Sequence, residues 1–63
     1  MTFDLDLNAL QEMSVFDIMA IVSGAMWKAG VSEQDIVAYS EKVVTFSTAK
    51  EAVYYTVTFR ESL

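Results

Sequence analysis

Nine carboxylates, four cationic side chains and no histidine or cysteine make up the charged and metal-binding inventory of this 63-residue sequence. Imidazole and thiolate, the commonest bases and nucleophiles, are therefore absent, and every zinc site built from Cys and His is excluded. What remains is carboxylate chemistry. Asp4 and Asp6 are two apart and share a face of an extended segment, while Glu33 and Asp35 sit together at the start of a helical pattern. A pair of carboxylates can run glycoside hydrolysis as acid and base or nucleophile. Such a pair needs a deep cleft around the sugar, and a domain this small buries only roughly 60% of its unfolded surface. The acids are expected to be solvated surface groups and helix caps. The protein is expected not to be an enzyme, and no metal or cofactor is expected. The two glycines, Gly24 and Gly30, follow no convincing strand, so no phosphate-cradling loop is expected either.

The elements that would position these residues are short and closely connected. The sequence has no proline and only two glycines, which leaves little turn chemistry and favours helices. Residues 2–7, Thr-Phe-Asp-Leu-Asp-Leu, alternate polar and apolar in the manner of a strand or an extended arm. Asn8-Ala-Leu-Gln11 and Ser14-Val-Phe-Asp17 have the form of capping boxes. They predict a turn of helix near 8–13 and a main helix over 15–29. Gly30 is a helix stop. Ser32-Glu-Gln-Asp35 opens a second helix, with Ile36, Val37, Ser40, Val43 and Val44 as its inner stripe. Thr48-Ala-Lys-Glu51 opens a third, whose inner face is Ala49, Ala52, Val53, Thr56, Phe59 and Leu63. Residues 53–59 are all β-branched or aromatic, which also fits a strand paired with residues 2–7. Ala-Lys-Glu-Ala is a poor hairpin turn and favours the helix. The expected fold is a single all-α domain over 1–63, three helices with a short N-terminal extended arm. The alternative is an α+β fold with N- and C-terminal strands paired against two helices.

The apolar fraction is 54%, and ten of the thirteen residues from Val15 to Trp27 are apolar. A helix apolar nearly all round wants burial on most sides, and a chain this short has few neighbours to supply it. Small folds lacking disulfides and metals are commonly reinforced by oligomerisation. The stretch contains Asp17 and is too short for a membrane span, which needs about 20 residues. The amino terminus lacks the basic start of a secretory signal, so a cytoplasmic location and no membrane partner are expected. Met19 and Met26, seven apart beside Trp27, together with Tyr39, Tyr54 and Tyr55, are the candidate contact residues, because flexible Met and the aromatics supply contact area. Ordinary core is the competing reading for each of them. Ala20 and Gly24 share a face where another backbone could approach. Asp4 and Asp6 belong to an acidic arm: residues 1–17 carry four acids and no base, within a net charge of −5.

Ala29-Gly-Val-Ser-Glu-Gln-Asp-Ile36 resembles the turn of a helix-turn-helix, which implies a second helix aimed at the major groove. Here Glu33 and Asp35 of that helix would face phosphates, and the bases are not clustered, so direct nucleic-acid binding is not expected. Residues 18–60 resemble a ubiquitin-associated domain in helix order, with the loop Lys28-Ala-Gly-Val31 after the first helix and Ala52-Val-Tyr-Tyr55 in the third. The aromatic that follows the glycine in that family is missing, so the resemblance implies three-helix topology alone.

The expected function is that of a small acidic protein–protein interaction module, acting by self-association, as a homo-oligomer, or by binding a larger protein. One alternative is an inhibitor of the kind encoded by phages and mobile elements, which blocks a basic, nucleic-acid-binding surface of a host enzyme. Another is an oligomeric small-ligand sponge, in which Lys28, Lys42, Lys50 or Arg60 would hold an anion between subunits.

Overall fold

The fold is described from a computed structural model, over residues 3–63. Four helices follow in order: α1 (Leu7–Leu10), α2 (Val15–Lys28), α3 (Glu33–Val43) and α4 (Ala49–Ser62). No strand occurs among the described residues. The all-α expectation holds, and the paired-strand alternative does not.

Local chemistry accounts for each helix start and for the end of α2. Ser14 caps α2, its Oγ accepting from the Asp17 N–H at 3.1 Å. Ser32 does the same for α3 from Asp35 at 3.2 Å, and Thr48 for α4 from Glu51 at 3.2 Å. Each cap satisfies an N–H that the first helical turn leaves without a partner. At α1 the predicted box is displaced: Asp6, not Asn8, is the cap, accepting from the Ala9 N–H at 3.1 Å. The α2 terminus is a Schellman motif. Gly30 takes φ +84°, its N–H donates to the Trp27 carbonyl at 3.1 Å, and the Val31 N–H donates to the Met26 carbonyl at 3.0 Å. Val31 and Met26 are both buried in the core, which supplies the apolar contact that accompanies this motif.

Helices α2, α3 and α4 pack mutually around Ile18, Val22, Met26, Tyr39, Val43, Ala52 and Val53, and Leu10 of α1 closes one end. Of the expected arm, Thr2 lies outside the described residues; residues 3–6 form no helix or strand, and their alternation is used: Phe3 and Leu5 pack against the core while Asp4 and Asp6 are exposed. Arg60 Nη1 of α4 donates to the Phe3 carbonyl at 3.3 Å and ties the arm down.

The core departs from the expected stripes at one place, in α3. In α3 the inward residue is Tyr39 rather than Val37; Tyr39 is fully buried and Val37 is exposed. A tyrosine goes inside when its hydroxyl finds a partner, and Thr56 of α4 supplies one at 2.7 Å. In α4 the β-branched run stays helical because its polar groups are met within the helix. Thr56 Oγ1 donates to the Ala52 carbonyl at 2.7 Å, and Thr58 Oγ1 to the Tyr54 carbonyl at 3.1 Å. Each β-branched residue costs a few tenths of a kcal/mol of helix propensity relative to Ala. Burial of Val53 and Thr56 in the core outweighs that.

Candidate functional site

The inner stripe of α2 is Ile18, Val22 and Met26, all buried. With 3.6 residues per turn, this orientation sends the opposite stripe to solvent. That stripe consists of Phe16, Ala20, Gly24 and Trp27, and all four are exposed. Phe16 is 66% and Trp27 64% accessible. Asp17 and Lys28 lie at its two ends and Ile21 along its edge, all exposed as well. Both charged residues complement the helix dipole, the acid in the first turn and the base in the last. A methyl group placed on Gly24 would meet nothing within 4 Å. The close approach that Ala20 and Gly24 permit is thus left unused by the chain itself.

Helix α3 runs beside α2. Ser23 and Ser40 share a hydrogen bond of 2.9 Å that sets the two helices side by side. Val37, one turn before Ser40, is exposed. It borders a shallow groove with Glu33, Gln34, Ala38 and Glu41.

A second exposed aromatic, Tyr54 at 76%, stands alone on α4. It separates two shallow apolar depressions. Phe46, Tyr55 and Thr58 line one, and Leu7, Val53 and Val57 line the other.

The candidate contact residues separate accordingly. Trp27 and Tyr54 are exposed. Met26 and Tyr39 are not available to a partner; both are fully buried, and this corrects their assignment to a contact surface. Their heptad and aromatic spacing reflected packing between helices. Met19 and Tyr55 are half-buried and pack against the core. Tyr55 stacks on Tyr39 with ring centroids 5.8 Å apart, and Phe59 and Phe46 complete the aromatic cluster. Asp4 is exposed; Asp6 is exposed too, but its carboxylate is engaged as the α1 cap. The contact set inferred from sequence omitted Phe16, Ile21 and Val37. Asp17 and Lys28 could have revealed the first two, since the outer face of an apolar helix is the one bearing its charges.

Burial pushes the Tyr39 phenol up to about 12; the Thr56 hydroxyl pulls it back and Tyr55 adds to the rise. Burial also raises Tyr55. Both phenols are neutral at pH 7 and serve packing. Among the described residues, no buried side-chain nitrogen or oxygen lacks a partner and no group of acids is placed to hold a metal ion. No helix of the described residues is long and apolar enough to cross a membrane. Two of the cations are engaged locally, Arg60 with the arm and Lys42 over the Phe46 ring at 5.8 Å.

Comparison of the chain with protein-family models, with curated proteins and with solved structures found no match to any of them.

Proposed function

We propose that this protein acts by binding protein, itself or a larger partner, and does no chemistry of its own. The observation that carries this reading is the outer stripe of α2. Phe16 and Trp27 stand out from a helix whose other face supplies the core, with Ile21 beside them. Exposed aromatics grouped on one face are the usual anchors of interfaces. Burying them would also complete the enclosure that an apolar helix in a small domain lacks. The acidic surface adds orientation: a net charge of −5, with Asp4 and Glu12 exposed near the amino terminus, speeds encounter with a basic partner.

The test is native mass spectrometry of the protein purified gently from its own cellular setting, beside the double variant Phe16→Ser/Trp27→Ser. Both positions are exposed, so each substitution is expected to change stability by no more than about 0.5 kcal/mol. The expected result is an assembled species for the native protein and a folded, unassembled 7.0 kDa chain for the variant. A native protein that is a bare monomer refutes the reading. The charge favours one narrower version, a blocker of a basic surface such as a nucleic-acid-binding enzyme presents. In that case binding weakens steeply as salt rises, whereas an apolar interface barely responds.

A further inference from the structure

The outer face of α2 has a symmetry that selects its occupant. Resting on the reading of that face as a binding surface, we infer that it docks on the same face of a second copy, antiparallel, about a two-fold axis between Ala20 and Gly24. In a two-fold interface, residue i meets residue j wherever j meets i. Setting two α2 helices antiparallel with Ala20 opposite Gly24 makes the small residues meet small residues at the centre. The same register brings Phe16 to within one residue of Trp27 of the other copy, and Asp17 to within one residue of Lys28. One residue is about 1.5 Å of helix rise, well within side-chain reach. Every feature of the face thus finds its complement twice: two aromatic contacts, two ion pairs, and a centre where the axes can approach to about 8 Å. The open space around Gly24 admits that approach. Parallel docking fails the same criterion, since Asp17 would face Asp17 and Lys28 would face Lys28.

The size of the face sets the strength. From Phe16 to Lys28 the stripe is about 18 Å long. A standard interface covers about 800 Å² per partner, which would be a fifth of the 4097 Å² surface of this chain. One helix face falls below that, in the class of weak, concentration-dependent dimers.

Sedimentation equilibrium of the purified chain tests the arrangement, with circular dichroism to confirm folding of each variant. The wild type is expected to move from 7.0 kDa towards twice that mass across the micromolar range. Asp17→Lys or Lys28→Asp alone places like charges opposite each other at both ends and weakens the dimer about tenfold or more. The double swap Asp17→Lys/Lys28→Asp restores it to within about threefold of wild type, although both swapped charges then oppose the helix dipole. Gly24→Leu is a control that does not threaten the fold: it improves helix propensity in open space, and it is expected to abolish the dimer by holding the axes apart. A chain that stays monomeric up to millimolar concentration overturns the inference. So does a dimer indifferent to the single reversals, or a double swap that fails to restore it. A monomeric pure chain that is nonetheless captured in a complex with a larger protein overturns the two-fold dimer and leaves the protein-binding function standing.

Discussion

Replacing Tyr39 by Phe is expected to give a stability curve that crosses that of the wild type as pH rises. Thr56 Oγ1 already donates to the Ala52 carbonyl at 2.7 Å. A threonine hydroxyl has one proton, so the 2.7 Å contact between Tyr39 Oη and Thr56 Oγ1 must be donated by the tyrosine. At neutral pH the Phe variant loses that one bond and strands no donor, since Thr56 keeps its bond to Ala52. The cost is about 1 kcal/mol. Alkaline pH reverses the order. The unfolded phenol ionises near its ordinary value of 10.0, while burial holds the folded one to about 12. Between those values the native state binds one proton more than the unfolded state, so stability falls as pH rises. The contribution is fully present below pH 10 and lost on the way to pH 12, at about 1.4 kcal/mol per pH unit and about 2.7 kcal/mol in all. The Phe variant lacks this loss, and the two curves are expected to cross about 0.7 unit above the unfolded value of 10.0. Urea unfolding followed by circular dichroism, repeated from neutral pH to about pH 11.5, measures both curves. A wild-type advantage that stays constant with pH would refute the assignment of Tyr39 as the buried, proton-donating phenol.

Gly30→Ala is expected to destabilise the fold by about 1 kcal/mol, because Gly30 holds φ +84° in the Schellman turn; equal denaturation midpoints would refute this. Thr48→Ala is expected to cost about 1 kcal/mol and to fray the start of α4 first, seen as early amide exchange at Glu51, whose N–H bonds to the Thr48 hydroxyl. Ile18→Ala empties a fully buried position and is expected to cost about 2–5 kcal/mol, enough to unfold a marginal small domain in a thermal melt. Trp27 is the one tryptophan, and at 64% exposure its fluorescence is expected to be quenched readily by acrylamide in dilute solution. Loss of that quenching on concentrating the protein would report burial of α2; quenching that is weak even at high dilution would show that the indole is not exposed.

The helices of this protein were legible because their boundaries are local chemistry. Ser14, Ser32 and Thr48 each bond an N–H three residues on, and Gly30 stops α2 through its own backbone angle. Such signals involve no distant residue. The displaced cap at α1 belongs to the same class, since Asp6 and Asn8 both offer a cap and only the path of the arm distinguishes them. Facing was harder to read. Val15 to Trp27 is apolar on nearly every side, so many rotations of α2 satisfy its composition; packing against α3 and α4 chose Ile18, Val22 and Met26 for the core and left Phe16, Ile21 and Trp27 outside. In α3 the apolar pattern alone favoured Val37 over Tyr39. Thr56, seventeen residues away in sequence, reversed the choice by offering the phenol a hydrogen bond. The same contact helped to settle 53–59 as helix, because the value of a β-branched residue depends on what it packs against. The sequence by itself determined where α2, α3 and α4 begin and where α2 ends, since capping acts within one turn. Only the tertiary structure decided which aromatics stay exposed, since that depends on which helix surfaces the rest of the chain has already covered.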